Sequence, residues 1–328
     1  VSDDQPTGIA MLSSTTPSQW ARQQVRGAYD LHVHVAPDVM RRRITDVQLA
    51  RRCWDAGLAG FVLKSHYVPT AERAAVVNEA LCAEVRVIGA VTLNASVGGM
   101  NPIAVEIAAR EGARFLWMPT LDALNHRAKH SALPAGATPP MWLALQRDLD
   151  AQGISVDPVL VFDEAGRPLP ATVEVLTVAA RHQLVVASGH LSAYETRVLA
   201  DAAFAAGVRH VVATHPEFPQ QDMGLADQLA LVSQGAFLER CFTTPFTGKC
   251  EWSRMVDNIR ATGADYTIVT TDLGQPGNPP VEDGLALMAD ALHAAGFTDK
   301  EITTMIVSNS RLLAGPDPVG AEQPAAAR

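Results

Sequence analysis

Eight short apolar runs, most of them followed by a segment of helical period, constrain this 328-residue chain more than any other feature. The runs are AYDLHVHV (28–35), GFVLKSH (60–66), RVIGAVTLN (86–94) and ARFLWMPT (113–120), then HQLVVASGH (182–190), RHVVATH (209–215), AFLERCF (236–242) and YTIVTTD (266–272). Between them lie segments such as TDVQLARRCWDAG and NPIAVEIAAREG, whose apolar positions recur at helical spacing and which close on glycine. Strands that alternate with helices pair in parallel, because each helix carries the chain back to the start of the next strand. Eight such units predict an α/β fold, the (β/α)8 TIM barrel. One interval breaks the period. In AQGISVDPVLVFDEAGRPLPATV, residues 151–173, two strand-like pieces flank DEAGRP, which predicts a β-hairpin inserted between strands 4 and 5. A single barrel is expected over 21–315, with loosely held ends at 1–20 and 316–328.

In such a barrel the site is built at the C-terminal ends of the strands, where a buried polar group is costly unless it is paired or liganded. Strand one ends in His32 and His34, and residues i and i+2 of a strand share a face, so both imidazoles point into the barrel mouth. Strand two ends in Lys64 and His66, again on one face. Asn94 ends strand three, Thr120 strand four, His190 strand five, His215 strand six and Asp272 strand eight, while strand seven carries Glu239 and Arg240. Any one of these histidines alone reads more readily as a packed core or rim residue than as a ligand. Four histidines and an aspartate at the ends of four strands form a set that zinc, iron or manganese accepts.

The order His-x-His, His, His, Asp resembles the amidohydrolase superfamily of metal-dependent barrel enzymes, over roughly residues 27–315, and IVSNSRLLAG (306–315) is weakly similar to the C-terminal helix of many members. The resemblance implies that His32, His34 and Asp272 hold one divalent metal, zinc by preference. His190 and His215 then hold a second ion or orient water and substrate, and Asp272 accepts a proton from the attacking water. Binuclear members carry a bridging lysine or glutamate at the end of strand four; here that strand ends WMPT and offers neither. Lys64 is the replacement candidate, since burial beside cations favours a neutral amine able to take up CO2 as a carbamate. The alternative keeps Lys64 cationic, paired with an acid or with substrate. His66, Asn94 and Glu239 are expected to contact substrate or to support the ligands, Glu239 through an ion pair with Arg240 or another base. His126 and His130 are expected on a mobile loop over the site rather than in it.

Composition narrows the partners. The net charge is −9 with no basic stripe, which argues against nucleic acid, and no apolar run approaches the ~20 residues of a membrane span. Four cysteines without a CxxC pair fit packed thiols in a reducing compartment, and the opening VSDDQPTGIAMLSSTTPSQW lacks the features of a signal peptide, so a cytoplasmic location is expected. The cluster Arg41–Arg43 reads as a solvated face, although arginines after strand one leave room for a carboxylated substrate. The implied activity is metal-dependent hydrolysis of a small amide, cyclic amide, lactone or ester, with a homo-oligomer common for such barrels. A deaminase or decarboxylase of the same superfamily, and a non-catalytic metal-binding barrel, are the alternatives. The deaminase would need a glutamate near His190, and Glu195 stands five residues on.

Overall fold

The computed structural model describes residues 15–81, 85–130, 141–154 and 156–316. Each of the eight apolar runs contains a strand: β1 Tyr29–Val33, β2 Gly60–Leu63, β3 Arg86–Thr92, β4 Ala113–Trp117, β5 Val185–Ala187, β6 His210–Ala213, β7 Phe237–Cys241 and β8 Thr267–Thr270. They form one eight-stranded sheet in sequence order, every pair parallel. The sheet nearly closes on itself just beyond β8, where Asp272 N–H donates to His32 O and His34 N–H donates to Leu273 O, each at 2.8 Å.

Local chemistry explains the helices between the strands. Helix Asp46–Ala56 starts on a reciprocal Thr45–Gln48 capping box and stops where Gly57 turns left-handed. Helix Pro102–Arg110 starts with proline in its first turn and the Asn101 side chain accepting from Ile103 N and Ala104 N. The barrel interior is filled by alternate strand residues, among them Leu31, Val62, Ile88, Phe115, Trp117, Val185, Val212 and Ile268. Two further apolar clusters lie between the strands and the helices.

Strand β1 does not keep a plain alternation. Leu31 packs with the interior while Val33 and Val35 pack with the outer layer, and the register with β2 slips between Asp30 and Val33. Such an irregularity re-aims side chains. Asp30 braces it, its buried carboxyl accepting from His32 N, Thr271 N and Thr271 Oγ1. The slip leaves His32 and His34 together in the mouth of the barrel.

The expected β-hairpin at 151–173 is not formed. Among the described residues of that segment there is a turn at Asp163–Arg167 and one antiparallel bridge, Phe162 with Pro168, before helix Pro170–Arg181 begins. Pro168 and Pro170 have no N–H to extend a ladder, and Asp163 Oδ1 captures Ala165 N and Arg167 N. Val159 pairs instead with the chain after β4, donating to Asp122 O. Of the loose ends expected, residues 1–14 and 317–328 lie outside the described residues, and Gln19–Gln24 is a helix capped by Ser18. No described helix is long and apolar enough to cross a membrane.

Candidate metal centre

The ends of β1, β2, β5, β6 and β8 open into one cavity of about 360 Å3. Five imidazoles close a ring around it. Centroid separations run His32–His34 5.3 Å, His34–His66 4.9 Å, His66–His190 6.2 Å, His190–His215 5.2 Å and His215–His32 6.1 Å. Lys64 reaches into the ring, its Nζ 3.0 Å from His32 Nε2 and 5.0 Å from the centroid of Trp117.

The tautomers of the first two rings follow from their neighbours. His32 Nδ1 lies 3.0 Å from Glu239 Oε1, and His34 Nδ1 lies 3.1 Å from the Lys64 carbonyl oxygen. Burial opposes ionisation of Glu239, yet the charge and hydrogen bond of His32 prevail and bring its pKa down to about 2, so it is a carboxylate. A carboxylate and a carbonyl only accept, hence both Nδ1 atoms donate. With Nδ1 so engaged, the Nε2 atoms are the ring nitrogens left to face a ligand. These converge on Asp272 Oδ1, at 3.4 Å from His32 and 3.2 Å from His34.

That convergence calls for a cation. Burial, helped by the charge of Arg42, pushes the His34 pKa down to about 3, so His34 supplies no proton to Asp272 near neutrality. Burial works against the Asp272 carboxylate, but His32 and His34 outweigh it and hold its pKa well below the usual carboxylate range. With His34 neutral, its Nε2 and Asp272 Oδ1 face one another as lone pairs, a pairing that a metal ion between them relieves, while His32 Nε2 is met by Lys64 Nζ. His215 Nδ1 is likewise buried with no hydrogen-bond partner. The donor set of imidazole nitrogens and a carboxylate therefore fits a divalent metal, and His32, His34 and Asp272 bring their atoms close enough to share one ion. His32, Glu239 and Cys241 also converge, but burial holds the Cys241 thiol well above its usual pKa and neither it nor Glu239 lines the cavity.

Backbone strain marks the same positions. His215 at φ 28° and Asp272 at φ 52° are non-glycine residues in the left-handed region, each just past its strand. Gly274, at φ 135°, passes so close to β1 that a Cβ there would overlap the His34 carbonyl oxygen.

The other expected site residues divide. His66 lines the cavity and contacts Thr120 Oγ1 at 2.8 Å. Asn94 does not line it; its amide ties Thr120, Asp122 and the His66 carbonyl together, clasping the ends of β2, β3 and β4. Glu239 stands behind His32 and does not pair with Arg240, because Arg240 is turned the other way into a buried ion pair with Glu217. His126, expected outside the site, is buried in it with Nδ1 2.9 Å from His190 Nδ1. The side chain of His130 lies outside the described residues. Burial pushes the His66 and His190 pKa values well below normal and His215 to about 4.

The parallel eight-stranded barrel, with histidines and an aspartate gathered at its C-terminal end, is the fold that the resemblance to the amidohydrolase superfamily implies. Solved structures bear out that fold. An amidohydrolase from Pseudomonas aeruginosa matches with TM-score 0.59 at 10% identity, over 90% of this chain and 98% of its own. A probable dipeptidase, PvdM, from the same organism gives 0.58 at 10%, over 93% and 97%. A metallopeptidase from Rhodobacter sphaeroides, liganded with a phosphinate mimic of the dipeptide L-Ala-D-Ala, gives 0.55 at 14%, over 88% and 99%. The chain itself belongs to a family of unknown function, DUF6282, whose model matches residues 27–239. That span carries the ligand candidates of β1, β2, β5 and β6 and stops short of Asp272. No curated protein matches the sequence.

Proposed function

We propose that this protein is a metal-dependent hydrolase that cleaves a small amide, cyclic amide, lactone or ester. The observation that carries this reading is the convergence of His32 Nε2 and His34 Nε2 on Asp272 Oδ1, at 3.4 and 3.2 Å, in an open cavity. His32, His34 and Asp272 would hold a divalent ion, zinc by preference, with Lys64, His190 and His215 available to a second. Such an ion, when bound, supplies Lewis-acid polarisation of the substrate and acidifies water.

The chain's own groups do the rest. Asp272 accepts a proton from the attacking water and returns it to the leaving nitrogen or oxygen; its depressed pKa makes the protonated state short-lived, so the proton is passed on. Thr243 Oγ1 donates to Asp272 Oδ2 at 3.2 Å and fixes the carboxylate's orientation. Glu239 holds His32 in the tautomer that presents Nε2. Burial lowers the Lys64 pKa, which favours the free amine. That nitrogen can attack CO2, forming one N–C bond and releasing one proton, and the resulting carbamate is an anionic oxygen ligand in place of the one strand four lacks.

The deaminase alternative, already disfavoured by the spacing of Glu195 from His190, gains no support from the fold. Glu195 accepts from Ser192 N and Oγ in a capping box at the start of helix Ala193–Ala205 and does not line the cavity. Elemental analysis of protein purified without added metal should give one to two ions per chain. A screen of amides, lactones and esters with and without chelator should give chelator-sensitive hydrolysis. Absence of metal after reconstitution sinks the reading, and CO2 release without hydrolysis replaces it with decarboxylation.

A further inference from the structure

Two cations on the cavity wall are not used by the metal ligands. Arg42 lines the cavity with its side chain only 4% exposed. Its Nε donates to Asp38 Oδ2 at 2.8 Å, while its Nη2 is buried and has no hydrogen-bond partner. The position is rigid. Met40 N–H donates to Asp38 Oδ1, and the next residue is clamped to the chain after β8, Arg43 N–H to Gly274 O at 2.7 Å and Arg43 Nη1 to Asn278 O at 2.8 Å. Lys249, on the segment after β7, lines the same cavity with Nζ 4.4 Å from the centroid of Phe218, and has no ion pair among the described residues.

A guanidinium N–H left unmatched in a buried wall is costly unless a ligand accepts from it. Asp38 already balances the charge of Arg42, and Lys249 has no direct ion pair, only the longer-range charge of Asp272, so the two together match one negative charge rather than two. A second chamber of about 430 Å3 adjoins the cavity, the two sharing Leu121 and Trp142 in their walls, and Leu145, Leu149 and Val156 line it further. It is mainly apolar, the kind of surface that takes a hydrocarbon or aromatic group.

We infer that the site selects a substrate bearing one carboxylate and one apolar group, the carboxylate received by Arg42 Nη2 and Lys249 Nζ and the apolar group by the chamber behind Leu121 and Trp142. The inference rests on the hydrolase reading for what happens to such a molecule, but the selection is a matter of binding alone.

Calorimetric titration of the full-length protein as purified tests it with four probes: 3-phenylpropionate, 3-phenylpropionamide, propionate and 2-phenylethylphosphonate. The expected result is 3-phenylpropionate binding at least roughly tenfold tighter than the amide, the difference a charge-assisted hydrogen bond makes. Propionate should be weaker by a similar factor, since it forfeits the apolar chamber. Arg42→Lys, which keeps the ion pair with Asp38 but removes the forked donor, and Lys249→Met should each abolish the preference for acid over amide. Trp142→Ala should erase the advantage over propionate. Melting curves check that each variant folds; should Arg42→Lys not fold, Lys249→Met decides, because Lys249 makes no buried ion pair. Equal affinity for acid and amide overturns the inference. So does unchanged acid binding in both charge variants, which would mean the metal alone holds the carboxylate. Tighter binding of the phosphonate would replace the carboxylate by a phosphate-type group and overturn the assignment too. Carboxylate selection without any hydrolysis leaves this inference standing and sinks the hydrolase reading; hydrolysis of uncharged esters without selection does the reverse.

Discussion

Lys64 Nζ donates to His32 Nε2 across 3.0 Å, so a lysine amine rests on the atom best placed to bind metal. His32 Nδ1 is already committed to Glu239, and Nε2 is the only lone pair the ring offers. When an ion takes Nε2, Lys64 must give way, either by losing its proton and joining the ligands or by gaining a carboxyl group. Lys64→Ala is expected to lower the metal bound per chain and to cut turnover by roughly 10²–10⁴-fold, with partial rescue by formate or propionate. Metal analysis with and without the added acid checks this. Full activity in Lys64→Ala would remove Lys64 from the centre.

Glu239 acts at one remove, through the orientation of His32. Replacing it by Gln keeps the shape but replaces a full negative charge at His32 Nδ1 by an amide that can also donate. Loss of a carboxylate behind a histidine ligand weakens metal affinity about 10–100-fold. Competition with a chromogenic chelator should show that drop in Glu239→Gln, while Glu239→Asp recovers part of it. An unchanged affinity would mean that His32 Nδ1 needs no anionic partner.

Much of this centre was legible in the chain because strand ends leave few options. A histidine two residues from another in an apolar strand shares its face, and the run-and-helix alternation placed all the strand ends at one mouth. What escaped lay where tertiary contact decides. His126 sits on the helix after β4 in a polar stretch and looks solvated until His190 is found 2.9 Å away. Arg42 is indistinguishable in sequence from Arg41 and Arg43, yet it alone of the three lines the cavity, because the chain after β8 clamps Arg43 and Asp38 bonds Arg42. The alternation within β1 was only partly a guide, since the slip near Asp30 shifts the face on which its later residues lie. The hairpin expected from the turn chemistry of DEAGRP does not form because Pro168 and Pro170 starve a ladder of donors.

Gly274 ties the fold to the site. A Cβ there would meet His34 O, whose residue also closes the barrel through His34 N–H to Leu273 O. Gly274→Ala must push β1 and the chain after β8 apart, and its φ of 135° is one that alanine rarely adopts. The expected cost is on the order of 1–3 kcal/mol, read as a lower urea midpoint, together with weaker metal binding. Normal stability and normal metal content would show that the two segments have slack.

Glu195 provides the converse prediction. A deaminase would need a glutamate nearer His190 than Glu195, which stands five residues on, and the fold gives Glu195 a different task. Its carboxylate accepts from Ser192 N at 2.8 Å and Ser192 Oγ at 2.7 Å, while Ser192 Oγ accepts from Glu195 N, closing the first turn of helix Ala193–Ala205. A carboxylate so engaged is unavailable to a substrate amino group in a cavity it does not line. Glu195→Ala is expected to cost about 1 kcal/mol of stability, the usual worth of a helix cap, and to leave metal content and hydrolysis unchanged. Denaturant titration and initial rates on the same preparation measure both effects. A collapse of activity at unaltered stability would return Glu195 to the chemistry and reopen the deaminase alternative.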